Sequence, residues 1–170
     1  MPPASDDPTA SIRREIGQQQ PFQSTAQAAV VSLLRTASLL RRRFEHLAAR
    51  EDLTFQQYNV LRILRGADSP LPTMEIGKRL VEVTPGITRL IGRLEDKGLV
   101  RRERSEEDRR QVLCSLTESG ESALDTLDAP MDALDEASMR GLTAEEQTTL
   151  LDHLAKVRTE LDDMPAVDRS

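Results

Sequence analysis

The sequence has little aromatic side-chain volume and a single cysteine. Its 170 residues include no tryptophan, one tyrosine and three phenylalanines. A core must therefore be built from leucine, isoleucine, valine and alanine, which suits packed helices. One cysteine, Cys114, excludes an internal disulfide and fits a reducing cytoplasm. Because Cys114 shares one face of an alternating segment with Val112 and Leu116, we expect a buried, unreactive thiol rather than a redox sensor.

Long hydrophobic runs are also missing. No stretch approaches the roughly 18 apolar residues of a membrane-spanning helix, so we expect no membrane partner. Residues 1–8 lack the basic start and apolar middle of a signal peptide. The chain shows no nucleophile–base pair and no phosphate-binding loop, and His46 and His153 have no cysteine cluster near them. We therefore expect no enzyme activity, no cofactor and no metal site.

Negative charge dominates the chain, but it is unevenly distributed. The formal net charge is −6. Residues 118–170 carry four Lys and Arg against fourteen Asp and Glu, whereas residues 72–117 carry ten against eight. Charges more than about 8–10 Å apart are screened at physiological salt, so the acidic C-terminal segment can lie away from a polyanion. The overall charge therefore does not exclude a nucleic-acid partner.

Residues 83–100 have the pattern of a short helix with its own start and stop signals. Thr84 is an N-cap residue type, Pro85 suits the first helical position, and Gly98 suits the left-handed residue that closes a helix. Apolar residues recur between them with helical spacing: Ile87, Leu90, Ile91 and Leu94. The other faces carry Thr88, Arg89, Gly92 and Arg93. Such a helix is anchored on one side and cationic on the other, as entry into a DNA major groove requires.

A predicted hairpin follows this helix. Residues 99–103 and 111–117 alternate in polarity and predict two strands, joined by the polar tip 104–110. A helix-turn-helix followed by such a hairpin is a winged helix. The tip carries Arg109 and Arg110, and a cationic tip can reach the narrow minor groove beside the recognition helix.

The recognition helix and hairpin belong to a predicted winged-helix domain over residues 53–117. Its start, residues 54–57, reads as a capping box that opens a helix closed by Gly66. A loop over residues 67–72 and a short helix over residues 73–80 complete the approach to the recognition helix.

Further segments flank this domain. Residues 1–23 predict a flexible or partly helical arm, and residues 24–52 predict a long amphipathic helix. Residues 118–163 predict further helices, in which Pro130 should cause a kink or a break, and residues 164–170 form a tail.

The flanking helices indicate how the chain assembles. The apolar stripes over residues 24–52 and 118–163 flank a domain too small to cover them, so we expect them to form a two-fold dimer. A dimer of this kind would place two recognition helices about 34–36 Å apart, facing a pseudo-palindromic site. The predicted fold is mainly α with a small β-hairpin: a winged helix-turn-helix domain plus N- and C-terminal dimerisation helices.

The order of these elements resembles the MarR family of bacterial transcriptional regulators. The resemblance covers about residues 25–162 and is carried by five short motifs, at residues 53–58, 83–90, 93–102, 107–110 and 116–120. It implies a homodimer that binds operator DNA, usually as a repressor, and that is often released by a small anionic or phenolic ligand or by oxidation.

The resemblance also implies roles for individual residues. The family's groove-reading positions correspond to Thr84, Pro85, Gly86, Thr88, Arg89 and Arg93. An Asp-x-Arg wing pattern corresponds to Asp108 and Arg110, with the arginine in the minor groove and the aspartate holding an arginine in place; Arg109 lies between them. Simpler interpretations remain open: Arg89 and Arg93 could be solvated helix charges, and Arg110 could form an internal ion pair with Asp108.

An effector pocket in the family lies between the DNA-binding lobe and the helical lobe. Its candidates here are Arg43, His46, Tyr58 and Arg62, on the two helices that would line it; otherwise these are ordinary surface and packing residues. For the whole chain, the alternative function is a winged-helix protein-interaction module that does not bind DNA, because a fold does not by itself fix a function.

Overall fold

The computed structural model describes residues 9–82 and 86–165, and these parts are mainly helical with one small sheet. Their elements, in chain order, are α1 Ala10–Glu15, α2 Thr25–Ala48, a 3₁₀ turn Ala49–Glu51, α3 Phe55–Arg65, β1 Leu71–Pro72, α4 Thr73–Arg79, α5 Ile87–Asp96, β2 Val100–Arg104, β3 Val112–Leu116, α6 Glu118–Met139 and α7 Ala144–Asp162. The predicted fold class is therefore confirmed. None of these helices combines the length and apolarity needed to cross a bilayer.

The chain divides into two compact units, Met1–Pro130 and Met131–Ser170. The boundary falls inside α6, at Pro130. Of the kink or break predicted at this proline, the break is wrong, because α6 runs through it as one helix, while the kink stays a prediction. Leu127 and Met131, on either side of the proline, are both buried, and their anchoring offsets the loss of the proline's backbone hydrogen bond.

The N-terminal arm contains a helix, α1, that packs on α2. Ile12 is buried, and the guanidinium of Arg35 on α2 lies 2.8 Å from the carboxylate of Glu15. Helix α2 begins where Ser24 accepts a hydrogen bond from the backbone N–H of Gln27 through its hydroxyl. Of the flexible or partly helical arm predicted for residues 1–23, the described residues therefore fit the partly helical alternative.

The capping box at the start of α3 is confirmed. The Thr54 hydroxyl accepts from the Gln57 N–H at 3.1 Å, and the Gln57 side chain accepts from the Thr54 N–H at 3.0 Å. Glu45 of α2 accepts the N–H of Phe55 at 2.9 Å, which satisfies another backbone donor of the first turn. The Phe55 ring stacks on Phe44 with 5.0 Å between centroids. These contacts fix α3 against the end of α2.

The hydrophobic core of the first unit draws on helices and sheet together. Its largest fully buried side chains are Val60, Leu61, Ile76, Ile91, Leu94, Cys114, Leu124 and Leu127. Full burial of one aliphatic side chain contributes about 1.5–3 kcal/mol. None of these fully buried side chains is aromatic, as the composition led us to expect.

The sheet has three antiparallel strands in the order β1-β3-β2. The hairpin pairs Val100 with Leu116 and Arg104 with Val112. The third strand, β1, was missed, because residues 67–72 were predicted to be a loop. Its Leu71 is buried opposite Cys114. Its second residue is a proline, which lacks an N–H and is tolerated at a sheet edge.

The second unit contains the end of α6 and the whole of α7. A capping box at Thr143 and Glu146 starts α7. No residue of α7 is buried, and its large apolar side chains Leu151, Val157 and Leu161 are exposed. This apolar side of α7 is thus accessible in the single chain.

Candidate nucleic-acid interface

Helix α5 is the predicted recognition helix, and it begins later than expected. Its N-cap is Gly86, with φ of 85°, and its first helical residue is Ile87, two positions after the expected start at Pro85. The reason is local: a left-handed residue interrupts helical backbone, and glycine adopts that conformation without side-chain strain. The Gly86 carbonyl accepts the N–H of Arg89 at 2.9 Å, which closes the first turn. Thr84 and Pro85 lie outside the described residues.

The C-terminal end of α5 agrees with the sequence prediction. Gly98 is left-handed, with φ of 71°. Its N–H donates to the Glu95 carbonyl at 2.8 Å, and the Leu99 N–H donates to the Leu94 carbonyl at 2.9 Å. These two bonds form a Schellman motif, which ends the helix and starts the path into β2.

The two faces of α5 differ as predicted. Leu90, Ile91 and Leu94 are buried in the core. Thr88, Arg89 and Arg93 are exposed on the other side. Burial of the three apolar side chains holds the helix in place and leaves its polar face free for a ligand.

Asp108 organises the wing tip through the backbone. Its carboxylate accepts the backbone N–H of Arg110 at 3.0 Å and the side-chain amide of Gln111 at 3.0 Å. Its own N–H donates to the Ser105 hydroxyl at 3.2 Å. Within the described parts of the chain, no ion pair joins Asp108 to an arginine side chain. Asp108 therefore holds Arg110 through its backbone N–H, and the alternative of an internal ion pair between Arg110 and Asp108 is wrong for the described residues. The placement of Arg110 in a minor groove stays a prediction.

The cations of residues 72–117 divide into a paired set and a free set. The paired set comprises Lys78 and Arg79 with Glu75, Lys97 with Asp52, Arg101 with Glu103, and Arg102 with Glu95. The free set, which forms no ion pair with any residue in 9–82 or 86–165, comprises Arg89, Arg93, Arg104, Arg109 and Arg110. All five free arginines are exposed. Their charge is not neutralised locally, so it is available to phosphate.

Arg104 is the member of this free set that sequence reasoning did not select. It is the last residue of β2, where the strand opens into the tip. The sequence signal that could have identified it is its position at the start of the polar tip, directly after the predicted strand. By contrast, Arg101 and Arg102 in the same strand form ion pairs with Glu103 and Glu95.

A groove of about 500 Å³ brings the recognition helix and the wing together. Thr88 of α5 and Arg110 of the wing both line it, with Met74 and Lys78 of α4 and Val112 of β3. Two predicted site residues that are 22 positions apart therefore border one concave surface. The arrangement presents cationic and apolar side chains from three elements on one side of the unit.

The structure joins two of the four effector-pocket candidates. The Tyr58 hydroxyl, on a buried side chain, accepts a hydrogen bond from the Arg62 guanidinium at 3.0 Å. This hydrogen bond raises the pKa of Arg62. Arg43 and His46 are exposed on α2, and no hydrogen bond or ion pair among the described residues links them to Tyr58 or Arg62. A shared effector site for all four stays a prediction.

Cys114 is fully buried in β3, as predicted. Burial raises the pKa of its thiol, which disfavours the reactive thiolate, and the Thr73 hydroxyl lies 3.7 Å from its sulfur. Across the described ranges, no three His, Cys, Asp or Glu side chains come together as a metal site would require.

Comparison with known proteins gives a consistent set of similarities. The model of the MarR family matches residues 51–111. The HTH-type transcriptional regulator TtmR of Methylorubrum extorquens is 36% identical over 156 residues, which cover 91% of this chain and 77% of that protein.

Solved structures show the same fold. The MarR transcription factor from Planctomyces limnophilus is 36% identical, with a TM-score of 0.61 over 79% of this chain and 98% of its own. The Streptomyces coelicolor regulator Sco3205, solved in complex with DNA, has a TM-score of 0.71 at 24% identity, over 87% of this chain and 94% of its own. At this identity the likeness to Sco3205 concerns the fold alone.

Proposed function

Because this chain belongs to the MarR family of transcriptional regulators, we propose that it is a homodimer that binds a pseudo-palindromic operator and represses transcription there. Members of the family are regulators and not enzymes, in agreement with the sequence-based expectation. The proposed DNA contacts are Thr84, Pro85, Gly86, Thr88, Arg89, Arg93, Asp108, Arg109 and Arg110. Operator binding would take place in the bacterial cytoplasm.

The free arginines carry this proposal. Five cations of the region are neutralised by carboxylates, while the other five project from α5, the end of β2 and the wing tip without a partner among the described residues. Arg89 on the recognition helix suits a bidentate contact to guanine, worth about 1–3 kcal/mol of base discrimination. Arg93, one turn later, suits a phosphate, which adds affinity without sequence preference. Arg110 suits a narrow minor groove.

The exposed apolar side chains support a dimer. Val30 and Leu34 of α2 are 58% and 65% exposed, and Leu151 and Leu161 of α7 are 65% and 57% exposed. Residues 24–52 and 118–163 are accordingly proposed as the dimerisation helices. A two-fold axis through such an interface would set two α5 helices about 34–36 Å apart, one turn of B-DNA.

Retention of the chain's own promoter fragment on a gel, measured between about 50 and 200 mM salt, tests DNA binding. We expect affinity to fall steeply with salt, because each neutralised phosphate contributes about 0.9 to the logarithmic slope. Arg89→Ala and Arg110→Ala should weaken binding while the circular dichroism spectrum and dimer mass stay unchanged.

Arg14→Ala is the matched control, since it removes the same charge from an exposed position on α1, outside the proposed DNA contacts and dimerisation helices. A flat salt dependence would instead favour a winged-helix protein-interaction module. Equal losses in Arg14→Ala and Arg110→Ala would also overturn the proposed interface.

A small anionic or phenolic effector is proposed to bind beside Tyr58 and Arg62 and to release the operator. The support is a cation on α3 held 3.0 Å from a phenolic oxygen of the same helix. Arg43 and His46, both exposed on α2, stay proposed members of the site. Benzoate and phenol serve as the anionic and phenolic probes. Either probe should release DNA from the wild type and release less from Arg62→Gln; release of equal extent from both proteins would exclude this site.

A further inference from the structure

The densest ion-pair network of the described chain joins the end of α3 to α6. The Arg65 guanidinium reaches the Asp128 carboxylate through two hydrogen bonds, of 2.6 Å and 3.0 Å. It also lies 3.4 Å from the Asp125 carboxylate and 3.9 Å from that of Glu121. Three acidic side chains on successive turns of one helix thus surround one arginine.

The geometry of this network is restrictive. The two parallel bonds between Arg65 and Asp128 hold a planar guanidinium against a planar carboxylate, which fixes direction as well as distance. The Arg65 and Asp128 side chains are 26% and 38% exposed and make two hydrogen bonds, whereas the Arg35–Glu15 pair is 41% and 44% exposed and makes a single contact. Arg65 holds the pKa of Asp128 below its ordinary value, and Asp128 raises the pKa of Arg65. The contact is therefore a directional, partly buried link between α3 and α6.

At this position, a small change in the link would move the far end of α6 by several ångströms. Helix α3 opens the winged-helix domain, and α6 leads out of it toward the residues proposed to dimerise. From Asp128 to Met139, α6 extends eleven residues, or about 16 Å at about 1.5 Å per residue. A tilt of about 10° at the link would move that end by about 3 Å, which is close to the 3.4 Å rise of one base pair.

We propose that Arg65 and Asp128 are positioning residues that set the direction of α6 relative to the winged helix, and through it the half-site spacing that the dimer recognises. This inference rests on the proposed function. Neither residue belongs to the proposed DNA interface, so both act through the placement of α5 and not through contact with DNA.

The experiment measures affinity for a series of operators in which one to three base pairs are added or removed between the half-sites. The half-site is taken from the promoter fragment that the wild type protects from nuclease. Asp128→Asn and Arg65→Gln are compared with the wild type and with Glu15→Gln, a control that disrupts the exposed Arg35–Glu15 pair. Thermal unfolding confirms that each variant is folded.

The wild type and Glu15→Gln should prefer one spacing by about tenfold or more over its neighbours. Asp128→Asn and Arg65→Gln should reduce that preference to about threefold or less, while affinity for a single half-site is unchanged. Asp128→Glu, which keeps a carboxylate opposite Arg65, should retain the preference.

Two outcomes overturn the inference in distinguishable ways. If the folded variants keep the wild-type spacing preference, or lose affinity equally for every spacing and for the single half-site, these residues do not position the recognition helix. If the wild type retains none of the DNA fragments, the proposed function fails together with the inference.

Discussion

Replacing Gly92 with alanine should make the protein more stable and its complex with DNA weaker. Gly92 lies inside α5 between Arg89 and Arg93, on the side away from the buried Leu90 and Leu94. A Cβ built at this position meets no atom within 4 Å, and the backbone has no positive φ there. Nothing within the described fold therefore requires glycine at position 92.

The magnitudes follow from helix propensity and from the proposed location of α5. Glycine in a helix interior is about 0.8–1.0 kcal/mol less favourable than alanine, so Gly92→Ala should raise the free energy of unfolding by about 0.5–1 kcal/mol. This corresponds to an increase in Tm of about 1–4 °C for a chain of this size. If α5 lies in the major groove, the added methyl group occupies space beside the base edges. The expected loss of binding is about 1–3 kcal/mol, comparable with one mismatched base pair.

Thermal unfolding and fluorescence anisotropy on a labelled promoter fragment measure the two effects separately. Gly141→Ala is the matched control, because an added Cβ also meets nothing there and Gly141 lies outside α5. Changes of opposite sign in Gly92→Ala alone would support close approach of α5 to the duplex. Wild-type affinity in a stabilised Gly92→Ala protein would refute that reasoning.

Three further predictions concern the folded state. Gly120→Ala should destabilise the protein by about 1–3 kcal/mol in urea unfolding, because the added Cβ would lie 2.3 Å from the Leu99 carbonyl oxygen; an unchanged midpoint would contradict this packing. Arg65 lowers the pKa of Asp128, so the pairing stabilises the fold at neutral pH. This contribution is lost as the pH falls below about 4. Asp128→Asn should therefore lose less stability than the wild type on acidification. Cys114 should react with a thiol reagent only after unfolding, and rapid labelling of the native protein would show that its burial is wrong.

Local signals made much of the fold predictable. The capping box at residues 54–57, the apolar stripe of α5 and the left-handed Gly98 each depend on residues within one or two helical turns. By contrast, β1 has only two residues and exists because Leu71 pairs with Cys114, more than forty positions away. Two residues are too few to show the alternating pattern of a strand, and this is why the sequence predicted a loop there.

The candidate site was predictable in composition but not in detail. The sequence shows which arginines occur near the recognition helix and the wing, but their pairing depends on which carboxylates lie beside them. Arg101 and Arg104 occupy one strand, yet only Arg101 has an acidic partner among the described residues. The start of α5 depended on the backbone conformation of Gly86, which the helix-favouring residues around it do not reveal.

A crystal structure of the chain bound to its footprinted promoter fragment tests the central claim most directly. The account predicts two copies related by a two-fold axis, with α5 helices in major grooves about 34–36 Å apart and the Arg110 guanidinium in the flanking minor groove. A complex with one copy, or one in which Arg89 and Arg110 point away from the duplex, would contradict it.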